Sequence, residues 1–249
     1  MNAIVTEAQK QAIVTESLLV QMPDTELKFK FEDKEIIIPV PAFRVGKFYS
    51  STDDTGNVFI SETATPRVRI DYYEARDISA RVGMPLISNL QCLALAQNIS
   101  QVADNWDSGV VGEGSLRMGL HKWSVNSVQR NDYVSTDPDE RRDFVLSTGD
   151  HIYDVSGHIF TWCRADVEGE PETGLINRPF TADSPSILVP PYPSMTKGMG
   201  WRPTQDVDWS SSALVRGGYW YSDGGAGAFY LNFWYPEYRG GDIGFRSTK

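Results

Sequence analysis

The chain has 249 residues, 41% hydrophobic and 22% charged, enough to bury a sizeable core as one large domain or two small ones. A net charge of −10 argues against nucleic acid or an anionic membrane as main partner, since both are bound through clustered Lys and Arg. No apolar run is long enough to span a bilayer and no secretory leader pattern is present, so the chain is expected to be soluble where it is made.

Residues 1–22 read as an N-terminal arm. The pentapeptide AIVTE at 3–7 recurs at 12–16, and a nine-residue offset turns about 900° on a helix, so the copies face opposite sides and build no single apolar stripe. A flexible arm and a helical one both fit. Residues 23–249 are expected to form one domain. In it Leu27, Phe29 and Phe31 alternate with Lys28 and Lys30, the pattern of a half-buried strand. Residues 36–40 read as its partner across a turn at 32–34, with Pro39 and Pro41 limiting further pairing. Short strands are expected at 43–49, 58–60 and 68–70, with 50–57 a polar turn.

A helix is expected over 72–82, stopped by Gly83 and Pro85. A second starts from an N-cap at Ser88, with Gln91 closing a capping box, and carries an apolar face from Leu90 through Trp106. Asp104 and Asp107 near its end read as solvated rather than as metal ligands. Residues 107–148 are polar, with Gly109, Gly112, Gly114 and Gly119, and read as a functional loop or an insertion rather than part of the packed core. His121, beside Trp123, has no partner carboxylate in view and reads as structural. Cys92 and Cys163, distant and in no paired motif, read as buried thiols rather than a disulfide or a zinc site.

From Asp150 the sequence becomes specific. DHIYDVSGHIFTW at 150–162 resembles the Asp-x-x-Gly-Asn-x-x-Glu-Trp segment of the formylglycine-generating-enzyme type of C-type lectin fold, with His158 where Asn is usual and Thr161 where Glu is usual. LVRGGYW at 214–220 and DIGFR at 242–246 resemble the second half of that signature, in the right order. The resemblance implies an α+β chain of C-type lectin fold, in which two helices flank small twisted antiparallel sheets and irregular C-terminal segments make a loop-rich ligand face. That fold serves enzymes and binders alike, so function rests on the site. Sulfatase-activating enzymes of the family use paired reactive cysteines near the C-terminus, and no Cys follows Cys163 here. Ergothioneine-type oxygenases hold iron with clustered histidines, and His121, His151 and His158 form no such cluster in sequence.

Residues 213–246 are rich in Tyr, Trp and Phe punctuated by glycine pairs, and Tyr gives large, rigid, amphipathic contact area at low entropic cost. The order RGGYW, GGAGAFYLNFW, Pro and IGFR resembles the variable proteins of diversity-generating retroelements, in which RGG-x-W, AG-x-F and IGFR are fixed and intervening positions change. Template copying with errors at adenines rewrites codons such as AAC into those for Tyr, Ser, Asp, Gly, Asn, Arg or Phe, but not Trp, Lys, Glu, Gln or Met. By that filter the resemblance implies variable, ligand-contacting positions at Tyr219, Tyr221, Ser222, Asp223, Tyr230, Asn232, Tyr235, Tyr238, Arg239 and Asp242. Trp220 and Trp234 are expected as fixed aromatics of the ligand face and Glu237 as scaffold. Arg216 and Arg246 are expected as structural ions, and Phe229, Ile243 and Phe245 as core. If the division is right, burial should separate the two sets.

The expectation is a non-enzymatic, hypervariable protein displayed on a virus or phage, with no catalytic residue, cofactor or metal. Its partner would be a protein or cell-surface ligand, with no nucleic acid and no membrane insertion, and self-association stays open. Two other readings also stay open. One is a formylglycine-generating-type enzyme with a relocated site, and the other a virion subunit whose aromatic face is an assembly interface.

Overall fold

The computed structural model describes residues 15–187 and 195–249, so the AIVTE copy at 3–7 and the start of its repeat lie outside the described residues. The first strand, β1 (Leu19–Met22), falls within the stretch read as an arm. It pairs antiparallel with β4 (Phe43–Gly46) and puts Val20 and Met22 into the main core. Between them β2 (Thr25–Phe31) and β3 (Lys34–Val40) form the hairpin that alternation predicts: Leu27 and Phe29 are buried, Lys28 and Lys30 exposed. The turn is shorter than expected, because Glu32 takes φ +53 and Lys34 already pairs with Phe31.

β5 (Ser50–Thr52) pairs with β6 (Val58–Ile60), so residues 50–52 are strand where a polar turn was expected. Their hydroxyls are buried because distant partners satisfy them. Ser50 Oγ lies 2.8 Å from Ser247 Oγ, and Ser51 Oγ donates to the Thr65 carbonyl at 2.8 Å. Residues 68–70 form no strand: Arg69 sits at φ +57, in the left-handed region that interrupts an extended run.

α1 (Tyr72–Arg81) begins where the Asp71 carboxylate accepts the Glu74 N–H at 2.7 Å and ends before Gly83. α2 (Asn89–Ser100) opens with both halves of the capping box, Gln91 N–H to Ser88 Oγ at 3.2 Å and Ser88 N–H to Gln91 Oε1 at 2.9 Å. It stops short of Trp106, whose buried indole N–H donates to the Ser100 carbonyl at 2.9 Å and so satisfies an orphan of the helix end. Asp104 and Asp107 beyond it are exposed.

Residues 107–148 hold little regular structure beyond β7 (Asp143–Val145), which pairs with β8 (His151–Tyr153). Contrary to expectation they are packed, with Leu116, Leu120, Val125, Glu140 and Arg142 all buried. The largest sheet contains β9 (Phe160–Cys163), β10 (Ala213–Arg216), β11 (Leu231–Trp234) and β12 (Ile243–Phe245) in the order β11-β10-β9-β12. The β12–β9 pair is parallel and the others antiparallel. At the C-terminus Arg44 and Lys249 exchange backbone hydrogen bonds of 2.8 Å, tying the chain's end to β4. The described residues are thus α+β, with α1 and α2 beside five small sheets, as the C-type lectin expectation has it.

Candidate ligand-binding face

The face is built on the ends of β10, β11 and β12. At the end of β10, Arg216 turns inward: Nε donates to Asn89 Oδ1 at 2.9 Å, Nη2 to the Ser186 carbonyl at 3.0 Å and Nη1 to the Phe229 carbonyl at 3.4 Å. Gly217 (φ +89) and Gly218 (φ +77) then reverse the chain in a conformation that side chains rarely adopt. A Cβ on Gly217 would also meet the Val155 carbonyl at 2.9 Å. This turn drives Trp220 into the interior and leaves Tyr219 half-buried, stacked on Phe160 at 4.6 Å. Tyr221 stacks on the exposed Trp123 at 4.0 Å. Ser222 closes the bend by accepting the Tyr219 N–H on Oγ at 2.9 Å, and Asp223 projects into solvent at φ +46.

The chain returns through Gly227, where a Cβ would lie 2.1 Å from the Gly200 nitrogen, and then buries Phe229. Asn232 donates from Nδ2 to Tyr230 Oη at 3.1 Å. Trp234 and Tyr238 stack at 4.5 Å, while Tyr235 between them is 69% exposed. Tyr238 donates to Asp242 Oδ1 at 3.1 Å; burial, then the Asp242 carboxylate, push its hydroxyl up to about 12. Arg239 reaches back to α1, pairing with Asp71 at 2.5 Å and Glu74 at 2.7 Å. After Ile243 and Phe245, both fully buried, Arg246 sends Nη1 to the Gly46 carbonyl and Nη2 to those of Tyr153 and Asp154, and lies 4.7 Å over the Tyr49 ring.

Burial therefore divides residues 213–246. Arg216, Gly217, Gly218, Trp220, Phe229, Ile243, Phe245 and Arg246 are buried, whereas Tyr219, Tyr221, Ser222, Asp223, Asn232, Tyr235, Tyr238, Arg239 and Asp242 are half-buried or exposed. Tyr230 crosses the division: it is only 7% exposed, against Phe160 and the Trp201 ring. Trp234 is half-buried and Glu237 exposed.

Tyr219, Tyr221, Tyr238 and Asp242 converge on a depression of about 430 Å³. Trp220 and Gly241 also line it, and its remaining walls come from outside the aromatic stretch, from Val68, Arg69 and residues 126–128. Sequence reasoning missed these residues, and it noted Trp123 only as a neighbour of His121. The exposed Arg69 guanidinium makes no ion pair among the described residues and lies beside Gly241. The nearest sequence signal was an aromatic residue in a polar loop, Trp123, whose ring stacks on Tyr221, one of the depression's walls.

The histidines do not converge. His121 is buried with Nδ1 2.8 Å from the Gly119 carbonyl, and His151 is exposed beside Asp143. His158 is fully buried; Nε2 accepts the Gln129 N–H at 2.9 Å, which leaves Nδ1–H facing Asp154 at 3.3 Å. Burial lowers its pKa, while Arg142 grips Asp154 through two hydrogen bonds of 2.7 and 2.6 Å. Among the described residues no group of His, Cys, Asp and Glu is placed to hold a metal ion. Cys92 and Cys163 are buried thiols in contact, with sulfurs 3.4 Å apart, and burial pushes the Cys163 thiol well up, away from the activated thiolate of a nucleophile.

No family model matches the chain, and no curated protein matches it in sequence. Among solved structures it is similar to Treponema denticola variable protein 1, with 11% identity over 92% of this chain and 94% of that one and a TM-score of 0.49. It is also similar to PvdO from Pseudomonas aeruginosa, with 14% identity over 92% and 93% and a TM-score of 0.45. The Major Tropism Determinant M1 variant matches 83% of this chain over 49% of its own length, with 16% identity and a TM-score of 0.40.

Proposed function

We propose that this is a ligand-binding protein whose C-terminal face is diversified by a retroelement and displayed on a virus or phage to a protein or cell-surface ligand. The observation that carries the reading is the division by burial within residues 213–246. The buried members, Trp220, Phe229, Ile243 and Phe245 with the two arginines, set the backbone. The outward members are mostly Tyr, Ser and Asp, and Tyr219, Tyr221, Tyr238 and Asp242 among them open onto one depression. A surface so divided keeps its packing while its displayed side chains change, and tyrosines on a rigid support supply the few anchors that dominate binding energy. The reading requires no catalytic group.

The coding DNA tests it. The expected result is a near-identical repeat downstream of the gene, with adenines at the codons of the displayed positions, beside a reverse transcriptase gene. A complete locus lacking both the repeat and the reverse transcriptase overturns the proposal.

A further inference from the structure

The arginines of RGG and IGFR stand at opposite ends of the displayed segment, yet both turn onto one small cavity in the interior. Arg216 and Arg246 line it together with Cys92 of α2, Thr161 of β9 and Ala228. Its volume of about 20 Å³ holds one water molecule or one monatomic ion. Arg216 is 3% exposed and Arg246 2%. Among the described residues all the acceptors they meet are neutral: the Asn89 side-chain oxygen, main-chain carbonyls of Phe229, Ser186, Gly46, Tyr153 and Asp154, and the Tyr49 ring.

The buried carboxylates do not balance these charges. Asp154 is engaged by Arg142 through both of its oxygens. Glu168 reaches Arg216 only through Ser186 and Asn89, one of its oxygens has no partner, and burial raises its pKa towards the neutral form. Three buried arginines thus stand against two ionised buried carboxylates, Asp154 and Glu140; Glu140 is held by the His121 and Lys122 N–H groups, and among the described residues neither carboxylate pairs with Arg216 or Arg246. An uncompensated charge in a low-dielectric interior is strongly destabilising, and guanidinium groups brought to the wall of one cavity give a small anion its natural place.

The geometry points to a structural anion site in this cavity, holding a single halide, chloride under ordinary conditions, between the side chains of Arg216 and Arg246. The ion joins the end of β10, the end of β12 and α2, so it fastens both ends of the displayed segment to the scaffold beneath it. The site is independent of the ligand bound on the outer face.

The test is unfolding of the full chain at fixed ionic strength, with sodium chloride or bromide progressively replacing sodium gluconate. Each tenfold rise in halide above its dissociation constant is expected to raise the folded-to-unfolded ratio about tenfold. Ala228→Val, which fills the cavity and leaves both arginines, is expected to fold and to lose that dependence. Bromide-containing crystals of the unmodified chain are expected to show one anomalous peak between the two guanidinium groups, a readout that stands even if the variant does not fold. Stability indifferent to halide, a variant with undiminished halide dependence, or a water molecule in place of bromide overturns the proposal.

Discussion

Because burial divides residues 213–246, substitutions in its two parts must differ in cost, and the difference can be worked from the structure. In the displayed part, Tyr221→Ser, Asp223→Asn and Tyr235→Ser are made together. Tyr235 is 69% exposed and Asp223 stands in solvent, so each change is expected to cost no more than about 0.5 kcal/mol. Asn also tolerates the left-handed backbone at 223. Tyr221 loses its stacking on Trp123, about 0.5–1.5 kcal/mol. The triple variant should therefore lose about 2.5 kcal/mol at most. In the frame, Phe229→Ala alone removes a ring that is 1% exposed, at about 3–5 kcal/mol. Urea unfolding at constant slope measures both as midpoint shifts. A triple variant as damaged as Phe229→Ala would mean that the displayed side chains hold the fold together, and the division would fall.

Other consequences follow from particular side chains. Tyr230, assigned to the displayed set by codon chemistry but 7% exposed, should behave as frame, with Tyr230→Ser costing about 3 kcal/mol or more in the same assay. His158 has a lowered pKa when folded, so the unfolded chain takes up its proton first. Its contribution is present above about pH 6.5 and lost below it, by up to about 1.4 kcal/mol per pH unit. Asp154, also held below its ordinary range, adds a further loss as pH falls through about 4. His158→Asn should flatten the stability profile between pH 6.5 and 5, and a variant that keeps the full slope there refutes the assignment. Cys92 and Cys163, both buried, should resist a thiol reagent in the native protein and react once urea unfolds it. Rapid native labelling with substrate-dependent turnover would restore the enzyme reading.

What was legible in the sequence is what short-range physics determines. The capping box at Ser88 and Gln91 and the alternation from Leu27 to Phe31 are satisfied by their own neighbours, and both elements formed where expected. Residues 50–52 hid their strand because the partners of their hydroxyls lie at Thr65 and Ser247. The break at 68–70 follows from one left-handed residue, Arg69, which no periodicity announces. Composition marked the candidate face within 213–246, since aromatic and glycine clustering is a local signal. The walls from Arg69 and residues 126–128, and the Trp123 ring stacked on Tyr221, come together only when distant loops meet. Codon chemistry likewise states what residue 230 can become, and not that its ring lies under the surface beside Phe160.

If the side chains of residues 213–246 vary as proposed, it is the main chain that keeps the segment in place. Trp123 donates its N–H to the Trp220 carbonyl at 3.0 Å, and Asp223 donates to that of His121 at 2.9 Å. Further along, Trp201 donates to Gly225 at 2.8 Å, Tyr72 to Pro236 at 2.9 Å, Arg69 to Gly240 at 2.9 Å and Phe160 to Asp242 at 2.8 Å. Each bond joins a backbone group of the segment to one in a loop, strand or helix end outside it, and most non-proline substitutions leave such a bond in place, because the backbone donor and acceptor are common to nearly all residues. Side-chain hydrogen bonds and ion pairs from the outward residues are fewer: Ser222 on the Tyr219 N–H, Asn232 on Tyr230, Tyr238 on Asp242, and Arg239 on Asp71 and Glu74. Of these, Ser222 closes a bend by holding a main-chain group and Arg239 alone reaches outside the segment, so those two positions should tolerate less variation than Asp223 or Tyr235. The long loop at 107–148, read from its composition as lying outside the core, supplies part of this backbone scaffold and must itself be packed for the face to keep its shape.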